Sequence, residues 1–491
     1  MAVKDYGFSE DLIAETTIID KDKHGFIRQT VKDMDIQGDD VIFIDYDGTV
    51  LHSYNADAFL KMSSMPKNPE HDGLISRGWN WSFEDAQAYV QKYGMLVIGP
   101  MYAPEDHATH MFIQVDQDLL TVVPLCFSQT VPNGVKINWG DGSEIESVDE
   151  IGVVTISHDY QVSGNYEIVI KIEDDCVALY GDLTNRISIF NDDAIIATTL
   201  KHLILSDKIA LVGSSPFRQN IMLETVVLPY NIESIPDNYF NGSYSLKALI
   251  IPNQVESIGQ LALTTCHRME YISLPCGLNN IGMYTMSQSI ALLYLSLPEN
   301  ITVIKQMSFN YCYNLTRLVI PDGITAIENN AFTECQQLRQ LYLPDSIISL
   351  GTNNFSSLWS LTDLKLPKNI ETIPDGSFSG TYLLRNINIP DHVTTIGEED
   401  IFGFGKVPQT IYIPESVTSI GNKSFRHIGI LLGLYLMSET PPTIDYQTFM
   451  GLPANGTIYV PYSEDHSTLN AYKSAQYWSA FADRMIEMDA N

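Results

Sequence analysis

Apolar and polar positions follow one rule over more than half of the chain. From about residue 200, short alternations of the form L-x-x-L-x-L end in proline at 229, 252, 275, 298, 321, 344, 367 and 390, each 23 residues after the last. Pro414, Met437 and Pro461 continue the series and Ser206 in LILS marks a degenerate first member, so about eleven turns are expected. Six residues after the proline stands Ile235, Ile258, Ile281, Ile304, Ile327, Leu350, Ile373, Ile396 or Ile420; eleven after it comes Phe240, Phe309, Phe332, Phe355, Phe378 or Phe425. One such turn cannot bury its own apolar edge, whereas a stack buries a continuous column between neighbours. Proline has no N–H to give to a ladder and ends each strand. The pattern predicts a solenoid with one parallel strand per turn.

Side chains alternate across a strand, so residues two and four before the proline point away from the core. The first set is Val227, Ile250, Ser273, Ser296, Val319, Tyr342, Lys365, Asn388, Tyr412, Tyr435 and Tyr459; the second includes Tyr271, Tyr294, Arg317, Gln340 and Asp363. From these, Tyr271, Tyr294, Arg317, Tyr342, Lys365, Asn388, Tyr412, Tyr435 and Tyr459 form the candidate ligand-binding face, since tyrosine pairs a flat apolar ring with a polar tip. Strand propensity alone also favours tyrosine there.

The L-x-L-P strand end, the I-x-x-I-x-x-x-A-F core and the frequent C-x-x-L resemble the BspA-like leucine-rich repeats of bacterial and protozoan surface proteins, over roughly residues 200–462. The resemblance implies adhesion or ligand binding and names no ligand.

Ahead of the repeats, VKINWGDGSEIES, ISHDY and SGNYEIVIKI read as short strands separated by Asp-Gly and Ser-Gly turns. Trp139 to Ser143, His158 with Tyr160, and Gly164 with Tyr166 resemble the polycystic-kidney-disease-type domain, an immunoglobulin-like spacer; His158 is expected to be a packed structural residue. Earlier still, VIFIDYDGTVL resembles the first motif of haloacid-dehalogenase-type phosphatases, which implies Asp45 as nucleophile and Asp47 as acid/base. The remaining parts of such a site are not found; Asp174 with Asp175, or Asp192 with Asp193, supply acid pairs only beside or beyond the sandwich, and a hairpin turned at Asp47-Gly48 explains the same letters. The run from DYDGTV through GLISRGWNWSFEDAQAYV to IGPMY, about residues 40–115, resembles a module of prophage-encoded and gut-bacterial proteins, which implies attachment to a larger assembly. Trp79 and Trp81 are read as buried anchors, with sugar stacking as the other use.

The expected order is therefore an α+β module (1–115), a PKD-like β-sandwich (116–180), the solenoid (181–462) and a helical cap (463–491). The fold class is mainly β with short helices. A net charge of −32 argues against nucleic acid and anionic lipid as partners, and no apolar run reaches the roughly 18 residues of a membrane span. The first residues lack the basic-then-apolar order of a secretion signal. Of the six cysteines, Cys266, Cys312 and Cys335 share one repeat position, read as small buried residues, with a Cys312–Cys335 disulfide as the alternative. We expect a non-enzymatic binding protein with a protein or glycan partner and no cofactor or metal, placed at a cell surface or on a phage-like particle; a phosphatase at Asp45 and Asp47 is the lesser alternative.

Overall fold

The computed structural model describes residues 40–116, 122–174, 176–180, 189–190, 199–209, 216–384, 387–402, 408–426, 428–453 and 456–489, with a two-stranded ribbon of Asp20–Lys21 and Ile27–Arg28. Asp175, Asp192, Asp193 and most of the N-terminal segment lie outside them.

The repeats wind into a leucine-rich-repeat solenoid of about twelve turns, mainly β with few short helices. Each regular turn carries two short strands. The first ends two residues before the proline and pairs in parallel with its equivalent 23 residues on, as Ala248–Ile250 does with Tyr271–Ser273 and Gln340–Tyr342 with Asp363–Lys365. The second holds the isoleucine column, with Ile235, Ile258 and Ile281 in register and Ile373, Ile396, Ile420 and Ile444 further along. Between the two sheets the phenylalanine column is buried, its rings stacked at 5.5 Å for Phe309 and Phe332 and 5.7 Å for Phe355 and Phe378.

The third side of each turn is also laddered. Asn238, Leu261, Tyr284, Met307, Asn330 and Asn353 adopt left-handed backbone, as do Thr265, Gln288, Tyr311, Glu334 and Ser357 four residues further on. That conformation costs a non-glycine residue roughly 1–2 kcal/mol. It aims N–H groups along the stack, so that Leu261 donates to Met283 O at 3.0 Å and Tyr311 to Thr333 O at 2.8 Å.

All six cysteines are free. Cys266, Cys312 and Cys335 are buried small donors, each thiol reaching a carbonyl 26 residues earlier at 3.3–3.6 Å, and Ser289 does the same at 3.3 Å. Burial pushes the Cys266 and Cys312 thiols up to about 12.

Both ends of the stack are closed. Leu200–Ile204 pairs in parallel with Thr225–Val227 on one edge and antiparallel with Thr109–Val115 of the sandwich on the other, so solenoid and sandwich share a six-stranded sheet. Ser206 explains the degenerate first repeat: its N–H donates to Thr109 Oγ1 (2.9 Å), which a proline could not do, and its hydroxyl to His107 O (2.6 Å). The second sandwich layer is Gly152–Asp159, Val122–Gln129 and Ala178–Tyr180. Trp139 is buried between the layers, its ring stacked on His158 at 4.9 Å, while Tyr160 donates to Trp139 O. At the far end, helix Ser467–Ser474 and the 3-10 turn Trp478–Arg484 bring buried Trp478 against Phe449 and buried Tyr472 against Trp478, and Met485–Glu487 adds a last parallel strand.

Residues 40–104 form a small α+β unit. Val41–Ile44 lies between antiparallel Val50–Tyr54 and parallel Leu96–Ile98, backed by helix Phe83–Tyr93, which is capped by Ser82 and stopped by left-handed Gly94. The unit lies on the outward strand face of the early turns.

Candidate functional site

The outward strand face falls into two halves. In the first, Val227, Ile250, Ser273 and Ser296, expected at the surface, are buried beneath residues 40–104. The contact is close: a Cβ added at Gly99 would lie 2.4 Å from Ile250 Cγ1. Ile42, Ile44 and Val97 form an apolar cluster with Ala248 and Ile250, against which Tyr46, Tyr271 and Tyr294 pack. Tyr271 and Tyr294 stack at 6.1 Å, and Arg317 lies 5.9 Å from the Tyr294 ring while pairing with Asp40 at 2.7 Å. Lys92 and Tyr93 meet Glu299 at 2.7 and 2.8 Å, and Lys92 and the Tyr93 hydroxyl also reach Asp322, where the polar contacts of this unit end among the described residues.

The polar anchors follow from the prolines. In a parallel ladder, the carbonyl of the residue before one proline would be paired by the N–H at the next proline position, one turn on. A proline has none to give. Three such carbonyls in successive turns are met instead by side chains: Asn80 Nδ2 donates to Ile251 O (3.0 Å), Trp81 Nε1 to Leu274 O (2.7 Å) and the Tyr89 hydroxyl to Leu297 O (2.6 Å). Asn80, fully buried, also donates to Ser273 Oγ and accepts from Gly99 N, and Ser273 Oγ donates to Val97 O. Where Met437 replaces proline, its own N–H closes the ladder onto Ile413 O at 2.9 Å.

Beyond Asp322 the same face continues. Tyr342 is half-buried, Lys365 reaches Asp345 at 3.3 Å, and Asn388 is exposed. Tyr412, Tyr435 and Tyr459 occupy one register position on adjacent parallel strands, and Ile486 extends it. Their rings stack at 4.6 Å with planes 15° apart and at 4.3 Å with planes 6° apart. Gly433 makes room for them, since a Cβ there would stand 2.9 Å from the Tyr435 ring and 3.0 Å from that of Tyr459. Burial, then the neighbouring tyrosines, pushes the Tyr435 hydroxyl above its usual range. Ile430, Leu432 and Ile486 beside the ladder are exposed, Leu432 most at 61%.

The nine candidate residues therefore divide. Tyr271, Tyr294 and Arg317 are engaged by residues 40–104; Tyr412, Tyr435 and Tyr459 form one ladder; Tyr342, Lys365 and Asn388 lie between. The proline series, visible in the sequence, was the signal that could have located the acceptors met by Asn80, Trp81 and Tyr89.

Asp45 and Asp47 sit at a hairpin. Asp47 Oδ1 accepts from Thr49 N within the turn, and Gly48 has φ +88°, so the letters D-x-D-G-T serve the bend. Asp45 is buried and bonds His71 Nε2 at 2.8 Å. Among the described residues no cluster of three His, Cys, Asp or Glu could hold a metal, and no helix is long and apolar enough to cross a membrane.

Residues 188–316 and 302–431 match the model of the BspA type leucine rich repeat region, in six copies. No curated protein matches the chain significantly. Among solved structures, a leucine-rich repeat protein from Bacteroides ovatus is 18% identical over 72% of this chain and 98% of its own, with a TM-score of 0.44. A leucine rich cell surface protein from Faecalibacterium prausnitzii is 20% identical over 62% and 87%, with a TM-score of 0.34. The pneumococcal vaccine antigen PcpA is 16% identical over 63% and 82%, with a TM-score of 0.37.

Proposed function

We propose, from the premise that residues 188–431 are BspA-type leucine-rich repeats, that this chain is a non-enzymatic binding protein acting in adhesion at a cell surface. Its docking surface is the strand face beyond Asp322. The observation that carries this is the Tyr412–Tyr435–Tyr459 ladder with exposed Ile430, Leu432 and Ile486 around it. The early half of the same face already receives a protein unit, which supports a protein partner for the later half. The stacked rings support it too: both faces of Tyr435 and one face each of Tyr412 and Tyr459 are covered within the ladder, whereas a sugar ring would need an open aromatic face.

The test is an array of extracellular proteins and glycans probed with the full chain, each hit re-measured with Tyr435→Ala and Leu432→Asp. Protein hits weakened at least tenfold by either substitution support the proposal; hits indifferent to both, or confined to glycans, overturn it. Protease shaving of intact cells that express the chain checks the surface location.

A further inference from the structure

The outer edges of the sandwich differ. Glu146–Ser147, which ends the six-stranded sheet, has two residues. Gly152–Asp159 has eight, in unbroken antiparallel register with Val122–Gln129, and among the described residues no strand lies on its other side. It has no proline, no lysine and no bulge, the features that usually guard an exposed edge.

The neighbouring strand shows where its backbone groups point. In an antiparallel pair, opposed residues either bond each other or both turn away. Cys126 N donates to Ile189 O on the far side of its own strand, and Pro124 has no N–H. Their partners Thr155 and Ser157, and by alternation Val153, therefore turn N–H and C=O away from the sheet. All three residues are exposed, and among the described residues no group bonds to their backbone.

The surroundings select the occupant. Between Lys136 and Lys171 the chain holds seven acids and no Lys or Arg, and both flanking lysines are already taken, by Glu173 at 2.5 Å and Asp106 at 3.5 Å. Exposed Asp149 and Glu150 stand at one end of the edge and exposed Asp159 at the other, with no Lys or Arg partner among the described residues. Ile151 and Val153, 62% and 51% exposed, supply an apolar ground.

We propose that Gly152–Asp159 accepts an added strand from a partner protein, an extended segment whose lysines or arginines bracket a run of β-branched residues. Main-chain bonds hold such a strand, and charge selects it. A second copy of this chain is a poor occupant: antiparallel self-pairing about Thr155 sets Glu150 and Ile151 of one copy beside Tyr160 and Asp159 of the other, acid near acid at both ends, between chains of net charge −32. This site is separate from the strand face beyond Asp322 and does not rest on it.

The probe is a synthetic peptide of alternating valine and threonine with two lysines at each end, N-methylated along one edge so that it cannot grow into fibrils. Its binding to the full chain is measured by calorimetry beside that of a glutamate-ended peptide and one N-methylated throughout. We expect the lysine peptide to bind at least tenfold more tightly than either, to slow hydrogen exchange at Val153, Thr155 and Ser157, and to lose at least tenfold on Thr155→Pro, which removes an outward N–H, and on Glu150→Lys/Asp159→Lys. Tyr435→Ala should leave it unchanged. Should Thr155→Pro unfold the sandwich, the charge-reversal variant and the fully methylated peptide make the same comparison. Absence of binding, equal binding of the fully methylated or glutamate-ended peptide, unchanged exchange at the three amides, loss on Tyr435→Ala alone, or a dimer of the chain that Thr155→Pro abolishes would each overturn the proposal.

Discussion

Asn80→Ala tests directly whether the early strand face is a built interface. The amide is fully buried, and its removal leaves Ile251 O without the donor at 3.0 Å and Gly99 N without the acceptor at 3.1 Å, while Ser273 keeps its bond to Val97 O. An orphaned buried backbone group costs about 1–3 kcal/mol, so the two together cost about 2–6 kcal/mol. Because solenoid stability is a sum over neighbours, the loss should appear locally. In hydrogen exchange, amides of residues 41–104 lose protection while turns beyond Asp322 keep theirs. Pro275→Ala supplies an N–H one turn beyond Ile251, so it should recover about 1–3 kcal/mol in the Asn80→Ala background, less the roughly 0.4–1 kcal/mol lost by freeing the unfolded chain of a proline. A cost for Asn80→Ala below about 1 kcal/mol, or Pro275→Ala harming the variant as much as the wild type, would refute the account of these carbonyls.

Further expectations follow from the same geometry. Gly99→Ala pushes a methyl into Ile250 and should cost about 1–3 kcal/mol by overpacking, with Ile250→Ala partly relieving it in a double-mutant cycle of denaturation midpoints. Ser206→Pro removes an N–H bond and a hydroxyl bond to the sandwich and should cost about 1–3 kcal/mol in thermal unfolding. Partial burial raises the Asp141 carboxyl, but bonds from Ser143 and His158 outweigh it and hold it down to about 2. A depressed folded-state value stabilises above the unfolded one of about 4 and is lost as pH falls through about 2, so acid melting of the sandwich in that window should flatten in Asp141→Asn. Gly433→Ala should displace the Tyr435 and Tyr459 rings, read by near-ultraviolet circular dichroism, without changing the far-ultraviolet spectrum.

The solenoid was legible because its register is written in one dimension: a 23-residue step that returns isoleucine to isoleucine and phenylalanine to phenylalanine fixes, from the letters alone, which residues stack on which. The left-handed positions were not, since Leu261, Tyr284 and Met307 carry no side-chain signature of that backbone and adopt it for the bonds it aims along the stack. Nor was the division of the strand face. Tyr271 and Tyr435 both occupy outward strand positions, yet one lies under Ile42 and Val97, some 200 residues away in sequence, and the other does not. Periodicity reports contacts between equivalent turns and is silent about a unit of different sequence laid across them. The acceptors it uses are backbone groups, visible only as the absence of a donor at each proline. D-x-D-G-T shows the converse limit, as an Asx-stabilised hairpin and a phosphatase motif are spelled alike.

The strand shared between sandwich and solenoid has a mechanical consequence. A force that slid the solenoid along the sandwich would load, as lateral shear, the rows of amide bonds joining Thr109–Val115, Leu200–Ile204 and Thr225–Val227. Many such bonds must then give way together, so under load the junction should behave as a stiff beam rather than a swivel.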